Sequence, residues 1–522
     1  MSMITGIPGS ELSEADLLRE LKHLHQTRHD TFLHGSPEAL REHTARSFEL
    51  EQEYVRRHPD RDVDPRRTRE GARGSRRMHE PRIVIIGGGH VGLTLALRLQ
   101  RLLRAGEARV TVIDTQPHMT YQPFLPEAAA GSLEPRHVVV PLREALRKSE
   151  VLTAQVSSID HSSRTLTTTL GDGTVEQLQY DFLVVVPGSI SKALPIPGLA
   201  ERGVGFKTIG EAIYLRNHVL SRLDIAASTT DESLRRRLLT FMFVGGGYAG
   251  IEAMAELESM ARYAIRDYPN IEPQDMRWVL VEAMGRIMPE VSAPMGEYTK
   301  RRLEERGIEV KLNTQAKSME DGHVVLSDGD EFDTDTIVWT AGVKPHPMLE
   351  ASDLPRDEKG RLDCTAKLQV RGTTDVFAAG DCAAVPDLTK EDPDAKCAPS
   401  AQHAVRQAKV LADNLVARLR GKQLQSYRHK YAGSVAGLGL FQGAAEVYGV
   451  KLKGFPAWLL HRVYHLAKMP TVSHKARIAG DWMLELPFKR QVVALGELHD
   501  PRSEFVKAAN TRGLPSSHGQ AG

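Results

Sequence analysis

Cysteine is scarce in this 522-residue chain: Cys364, Cys382 and Cys397 are the only three. So sparse and odd a set excludes a disulfide framework and points to a reducing compartment. Net charge is close to zero as well, a formal +1. That excludes a globally basic nucleic-acid binder, so any basic patch must be local. No uncharged apolar run reaches the roughly 18 residues of a spanning helix. An N-terminal apolar signal core is missing too, and the Arg-Arg pairs at 56–57, 66–67 and 76–77 lead into no apolar run. The expectation is a cytoplasmic protein, peripheral to a membrane if it meets one. His403, His461, His465 and His474 lack Cys or acid partners at metal-ligand spacing, so no metal site is expected.

What is present is ordinary globular material, 41% hydrophobic and 26% charged, in a chain long enough for two to four domains. Residues 1–55 read as a helical extension. Leu17, Leu18, Leu21 and Leu24 recur at helical spacing, and Phe48, Leu50 and Tyr54 continue the pattern in a second helix. Residues 56–80 hold Arg, Asp, Gly and Pro with almost nothing to bury, which reads as a linker. Strand and helix signals then alternate, as in a parallel α/β architecture. After Gly421 that alternation gives way to aromatic and basic residues.

The stretch RIVIIGGGHVGLTLALRLQ, residues 82–100, is a buried strand, a glycine turn and a helix. Gly87, Gly89 and Gly92 match G-x-G-x-x-G. The first allows the tight turn, the second lets backbone approach a pyrophosphate at the helix N-terminus, and the third lets helix and strand pack closely. The next strand, RVTVID, ends in Asp114, an acid placed to grip adenosine ribose hydroxyls. A lone glycine motif is weak evidence; strand before, helix after and a terminal acid make it specific.

Residues 241–258, FMFVGGGYAGIEAMAELE, repeat the device with Gly245, Gly247 and Gly250, and the strand RWVLVE ends in Glu282. Two dinucleotide folds imply two unlike dinucleotides, one flavin held tightly and one nicotinamide that comes and goes. The segment DVFAAGD supplies Gly380 and Asp381. In two-dinucleotide flavoproteins such an Asp binds the flavin's ribityl–phosphate region. The fold expected is α/β with two Rossmann-like domains. A discontinuous FAD domain comprises residues 81–200 and 332–420, and an NAD domain, 201–331, is inserted between them. A region of membrane association, 421–522, follows.

On IIGGGHVGL, YQPFLPEAAAG, YDFLVVVPGS, GFKTIGEAIYLRNHVL, VGGGYAGIE, WTAGVKP, AAGDCA and APSAQHAVRQAK, residues 81–505 resemble the type II NADH dehydrogenases. The extension looks like a small helical module found fused or free in actinobacteria. The resemblance implies tightly bound FAD, NADH as substrate and a membrane quinone, menaquinone or ubiquinone, as acceptor, without proton pumping. It also implies that Gly188 flanks the flavin, that Glu252 lies near nicotinamide and flavin, and that Gln402 belongs to the Ala-Gln pair of the quinone site. Glu282 should accept from the NAD ribose and repel a 2′-phosphate. The chain departs from the family at Val186-Pro187-Gly188, where Ala-Thr-Gly is usual, and at Pro126-Glu127, where an aromatic contact is lost. Disulfide reductases of this fold need a cysteine pair near the flavin, and sulfide:quinone reductases a pair spanning both halves; residues 1–363 contain no cysteine. Competing functions are a soluble reductase feeding an iron–sulfur protein and an NADH-responsive redox sensor acting through the fused helices.

The segment 451–490 carries eight Lys and Arg against Asp481 and Glu485, with Trp458, Leu459, Val463, Tyr464 and Leu466 interleaved. A basic, aromatic amphipathic helix suits an anionic membrane surface on the inner face of the cell membrane. Covering the core or forming a homodimer are the other uses of such a face.

Overall fold

Ser13 accepts the N–H of Asp16 at 3.2 Å and so caps the first helix, α1 (Glu14–His34), which pairs with α2 (Pro37–Arg57). The computed structural model describes residues 7–58, 80–430, 432–485, 487–496 and 500–510. The chain divides into the units Met1–Glu80 and Pro81–Gly522. In the first unit Leu17, Leu21 and Leu50 are buried together, and Arg46 ties the helices through Glu20 at 2.7 Å. Leu18 and Phe48, which helical spacing assigned to the apolar faces, are exposed; a two-helix hairpin has only one covered side. Most of the expected linker, residues 59–79, lies outside the described residues.

In the second unit the strands of the two large sheets and of a C-terminal meander begin with β1 (Arg82–Ile86), β2 (Arg109–Asp114), β3 (Glu150–Asp160), β4 (Thr165–Leu170), β5 (Val175–Gln179) and β6 (Phe182–Val185). Then come β7 (Gly203–Val204), β8 (Thr240–Val244), β9 (Arg277–Val281), β10 (Ile308–Lys311) and β11 (Thr336–Trp339). The last are β12 (Val376–Ala378), β13 (Gly433–Gly437), β14 (Gly443–Val447) and β15 (Val450–Lys453). The first sheet runs β12-β6-β1-β2-β3-β4-β5, and the second β7-β11-β8-β9-β10. Strands β12, β6, β1, β2 and β3 are mutually parallel, as is the whole second sheet. Their near-continuous apolar runs, such as Ile83–Ile86 and Phe241–Val244, are what sheets covered on both faces require.

Two placements differ from the sequence reading. Strand β11 pairs with β8 from Phe241↔Thr336 to Val244↔Trp339, so residues 336–339 belong to the second sheet, whereas the sequence pattern places 332 onward in the first fold. The 451–490 segment is not one helix but β15 followed by α8 (Phe455–Lys468) and α9 (Val472–Glu485). Strands β13–β15 form an antiparallel meander against which α8 packs. Among the described residues no helix is long and apolar enough to cross a membrane.

Candidate active site

Both glycine turns are built alike. Gly87 has φ +106°, and a Cβ there would lie 2.4 Å from the Val186 carbonyl oxygen. A Cβ on Gly92 would lie 1.8 Å from the Gly87 oxygen, so neither position admits another residue. Gly89 differs: a Cβ there meets no atom within 4 Å. It caps α3 (His90–Leu102) with no side-chain cap bond, leaving helix N–H groups free for an anion. In the second turn Gly245 (φ +114°) would strike Thr340, Gly250 would strike the Gly245 oxygen at 2.1 Å, and Gly247 faces open space. Gly247 caps α6 (Tyr248–Ala264), again with no side-chain bond.

Each turn is locked by its strand-end acid. Asp114 accepts the N–H of Gly88 at 2.6 Å and of Gln116 at 2.8 Å. Glu282 accepts the N–H of Gly246 at 2.6 Å and of Met284 at 2.7 Å. The lone pairs left on each carboxylate remain available to ribose hydroxyls.

Around the first turn, Gly188 has φ +73° with nothing beside its Cβ position. The Gly380 N–H donates to buried Gln407 at 2.7 Å. Asp381 accepts from the Ser189 hydroxyl at 2.7 Å, and Lys207 donates to the Ser189 carbonyl and hydroxyl at 2.8 Å each. Burial pulls the Lys207 pKa below its ordinary value against Asp381 and Glu211. His90, next to Gly89, is held down to about 4 by burial, with Asp381 acting the other way. Sequence reasoning missed Ser189, Lys207, His90 and Gln407, which matter through partners far along the chain.

Glu252, on the second turn of α6, and Gln402, at the start of α7 (Ala401–Leu419), are joined by one strand. Glu252 accepts the N–H of Gly437, at one end of β13, at 2.9 Å. Gln402 donates to the carbonyl of Gly433, at the other end, at 3.0 Å, and accepts from His429 and from the N–H of Ala432. The two candidates therefore sit at opposite ends of a five-residue strand. Gln402's amide is committed to Gly433, His429 and Ala432, and any other partner would have to displace those bonds.

The C-terminal helices close over this region through buried charge. Arg462 stacks between Trp458 (4.3 Å) and Trp482 (4.9 Å). Its Nε lies 3.5 Å from buried Glu127, which accepts from the Trp482 indole at 2.9 Å. Trp458 and Arg462 are thus core residues, and Arg490 pairs with Glu485; none of the three is offered to a lipid surface, contrary to the amphipathic-helix expectation. The cysteines are free and buried. Burial pushes Cys382 up to about 12 and Cys397 up to about 11, so neither is a thiolate nucleophile. No cluster of His, Cys, Asp and Glu suited to a metal occurs among the described residues.

Known proteins share this architecture. The type II NADH:quinone oxidoreductase Ndh of Mycobacterium tuberculosis is 29% identical over 416 residues, 77% of this chain and 87% of that protein. The demethylphylloquinone reductase NdbB of Synechocystis is 29% identical over 410 residues, 77% of this chain and 96% of that one. The solved structure of NDH2 from Plasmodium falciparum in complex with NADH aligns with a TM-score of 0.73 at 17% identity, over 80% of this chain and all of that one, a likeness of fold. Residues 6–71 match a family of unknown function. Residues 81–408, more than half of the chain, match the pyridine nucleotide-disulphide oxidoreductases, and the protein belongs to that family.

Proposed function

We propose that this protein is a type II NADH:quinone oxidoreductase with FAD as resident cofactor and NADH as substrate. One observation carries the reading: two glycine turns with uncapped helix N-termini and locked strand-end acids, in a chain whose three cysteines are buried and unpaired. FAD, when bound, takes the hydride of NADH and passes two electrons on.

The chain's own residues do the rest by binding and orientation. The free N–H groups at the starts of α3 and α6 would hold the two pyrophosphates, with Asp114 and Glu282 at the riboses. Asp381, fixed by Ser189 and Lys207, together with Gly188 and Gly380, would flank the flavin's ribityl chain. Glu252 would stand at the nicotinamide end and Gln402 at the acceptor's edge, the loop it holds opening to admit the quinone.

Membrane contact rests on α8 and its surroundings. Phe455, Leu459 and Val463 recur every fourth residue and are all exposed, one apolar stripe on the helix. Lys451, Lys453, Lys468 and Lys489, on the same helix or on segments flanking it in the sequence, are exposed as well. Such a surface suits an anionic leaflet and, for a cytoplasmic protein, the inner face. The competing occupant is a second copy of the chain. NADH oxidation by the purified protein with a soluble quinone tests the activity. Turnover with a ferredoxin-like protein alone, or a persistent reduced complex without turnover, would replace the reading with a soluble reductase or a sensor.

A further inference from the structure

The C-terminal helix α8 carries two histidines one turn apart, His461 and His465, with ring centroids 4.6 Å apart. Their neighbours give them opposite characters. His461 is buried, and its Nε2 lies 3.2 Å from Glu252 Oε1, an ion-pair distance without the alignment of a directed hydrogen bond. Burial opposes charge on this ring. The Glu252 carboxylate, with Glu256 of α6 and Glu127 of the short helix Leu125–Ala129 farther off, outweighs it and holds the pKa above the ordinary value. Burial also raises the Glu256 pKa, with Glu127 adding to it, so Glu252 is the near partner. His465 is only partly covered and faces His90, His461 and the rings of Tyr121, Phe124 and Tyr464. Burial, then His461 and His90, push its pKa well below the ordinary value. The Tyr121 hydroxyl lies 3.3 Å from His465 Nδ1 and fixes that ring.

The reaction leaves a proton to be found. NADH delivers a hydride, whereas a quinone becomes a quinol only with two electrons and two protons. Each turnover, NADH + H⁺ + quinone → NAD⁺ + quinol, therefore draws one proton from water into a covered site.

We propose that His461 and His465 relay that proton from the partly exposed side of α8 to Glu252, with Tyr121 holding the outer histidine in place. The inference rests on the NADH:quinone reading. The N–H bond at His461 Nε2 breaks as an O–H bond forms at Glu252, and from Glu252 the proton goes on through water in the site to the quinone oxygen at the Gln402 end as the electron pair arrives. Neutral His465 then takes a proton from water, forming a second N–H bond, and that bond breaks as an N–H bond re-forms at the His461 nitrogen vacated in the first step. An inner ring whose carboxylate neighbour favours the charged form and an outer ring whose surroundings favour the neutral form are what such a relay needs. Both histidines act through Glu252, so their role is to position and supply.

Two measurements decide it. The first compares quinone with ferricyanide as acceptor, because ferricyanide takes electrons and consumes no proton. In His461→Asn the ratio of quinone to ferricyanide turnover should fall by roughly tenfold or more, the size of a lost general acid. The deficit should widen as pH rises and water's own protons become scarce. Since His461 is buried, His465→Phe, which keeps the aromatic packing, is the second variant and should show the same signature. The second measurement follows the ring ¹⁵N signals of histidine-labelled full-length protein before any NADH is added. His461 should titrate above about 6.5, the ordinary value, and fall back in Glu252→Gln. Variants whose ratio matches wild type at every pH, or a His461 titration unmoved by Glu252→Gln, overturn the relay. A wild type that reduces ferricyanide but no quinone overturns instead the reading beneath it.

Discussion

The Glu282 carboxylate closes the second glycine turn, its Oε2 accepting the N–H of Gly246 at 2.6 Å while Oε1 accepts that of Met284 at 2.7 Å. An acid held on both oxygens does not swing aside for a 2′-phosphate. Like charges forced together cost several kcal/mol, so kcat/KM should favour NADH over NADPH by about 100-fold or more. Glu282→Ser should narrow that preference. Equal kcat/KM for the two nucleotides in the wild type would contradict the assignment.

Gly89 and Gly92 should fail differently. A Cβ at Gly89 meets no protein atom within 4 Å, so Gly89→Val should fold yet purify without the yellow of bound flavin, its side chain standing where the pyrophosphate belongs. A Cβ at Gly92 runs into the Gly87 oxygen at 1.8 Å, so Gly92→Val should lose the fold as well. Absorbance at the flavin bands beside far-ultraviolet circular dichroism separates the outcomes. A fully flavinylated Gly89→Val would refute the cradle.

Deleting residues beyond Gly421 is not a clean test of membrane contact, because it would strip Glu252 of the Gly437 N–H and Glu127 of Trp482. Leu459→Asp with Val463→Asp alters only exposed positions. The wild type should sediment with anionic vesicles at low salt and leave them in part at high salt, where screening shortens the reach of the lysines. The double variant should stay in the supernatant while oxidising NADH with a soluble quinone. Unchanged sedimentation would give the stripe to another role.

Arg462 should matter for stability rather than for lipid. Arg462→Met leaves buried Glu127 without its cation and should cost about 3–5 kcal/mol in denaturant unfolding. Adding Glu127→Gln should recover part of that loss, since the two share one network. A loss below about 1 kcal/mol would place the pair among weak surface-like bridges.

What the sequence disclosed was local. The glycine turns, with their flanking strands and acids, are contiguous devices, and a few residues specify each. What it hid was set by distant packing. Strand β11 crosses back to lie beside β8, a pairing between residues about a hundred apart that no local signal announces. The amphipathic pattern of 451–490 is real, but a pattern does not say which face is covered, and the core took Trp458, His461 and Arg462 while Phe455, Leu459 and Val463 stayed outside. Lys207, Ser189 and Asp381 form one hydrogen-bonded chain from three separate segments, and only the fold brings them together.

The most direct test of NADH-to-quinone transfer is an anaerobic titration of the purified yellow protein. One equivalent of NADH should bleach the flavin absorbance, and one equivalent of a menaquinone analogue should then restore it, with quinol as product. A flavin that NADH leaves oxidised, or one that stays bleached when the quinone is added, would contradict the account.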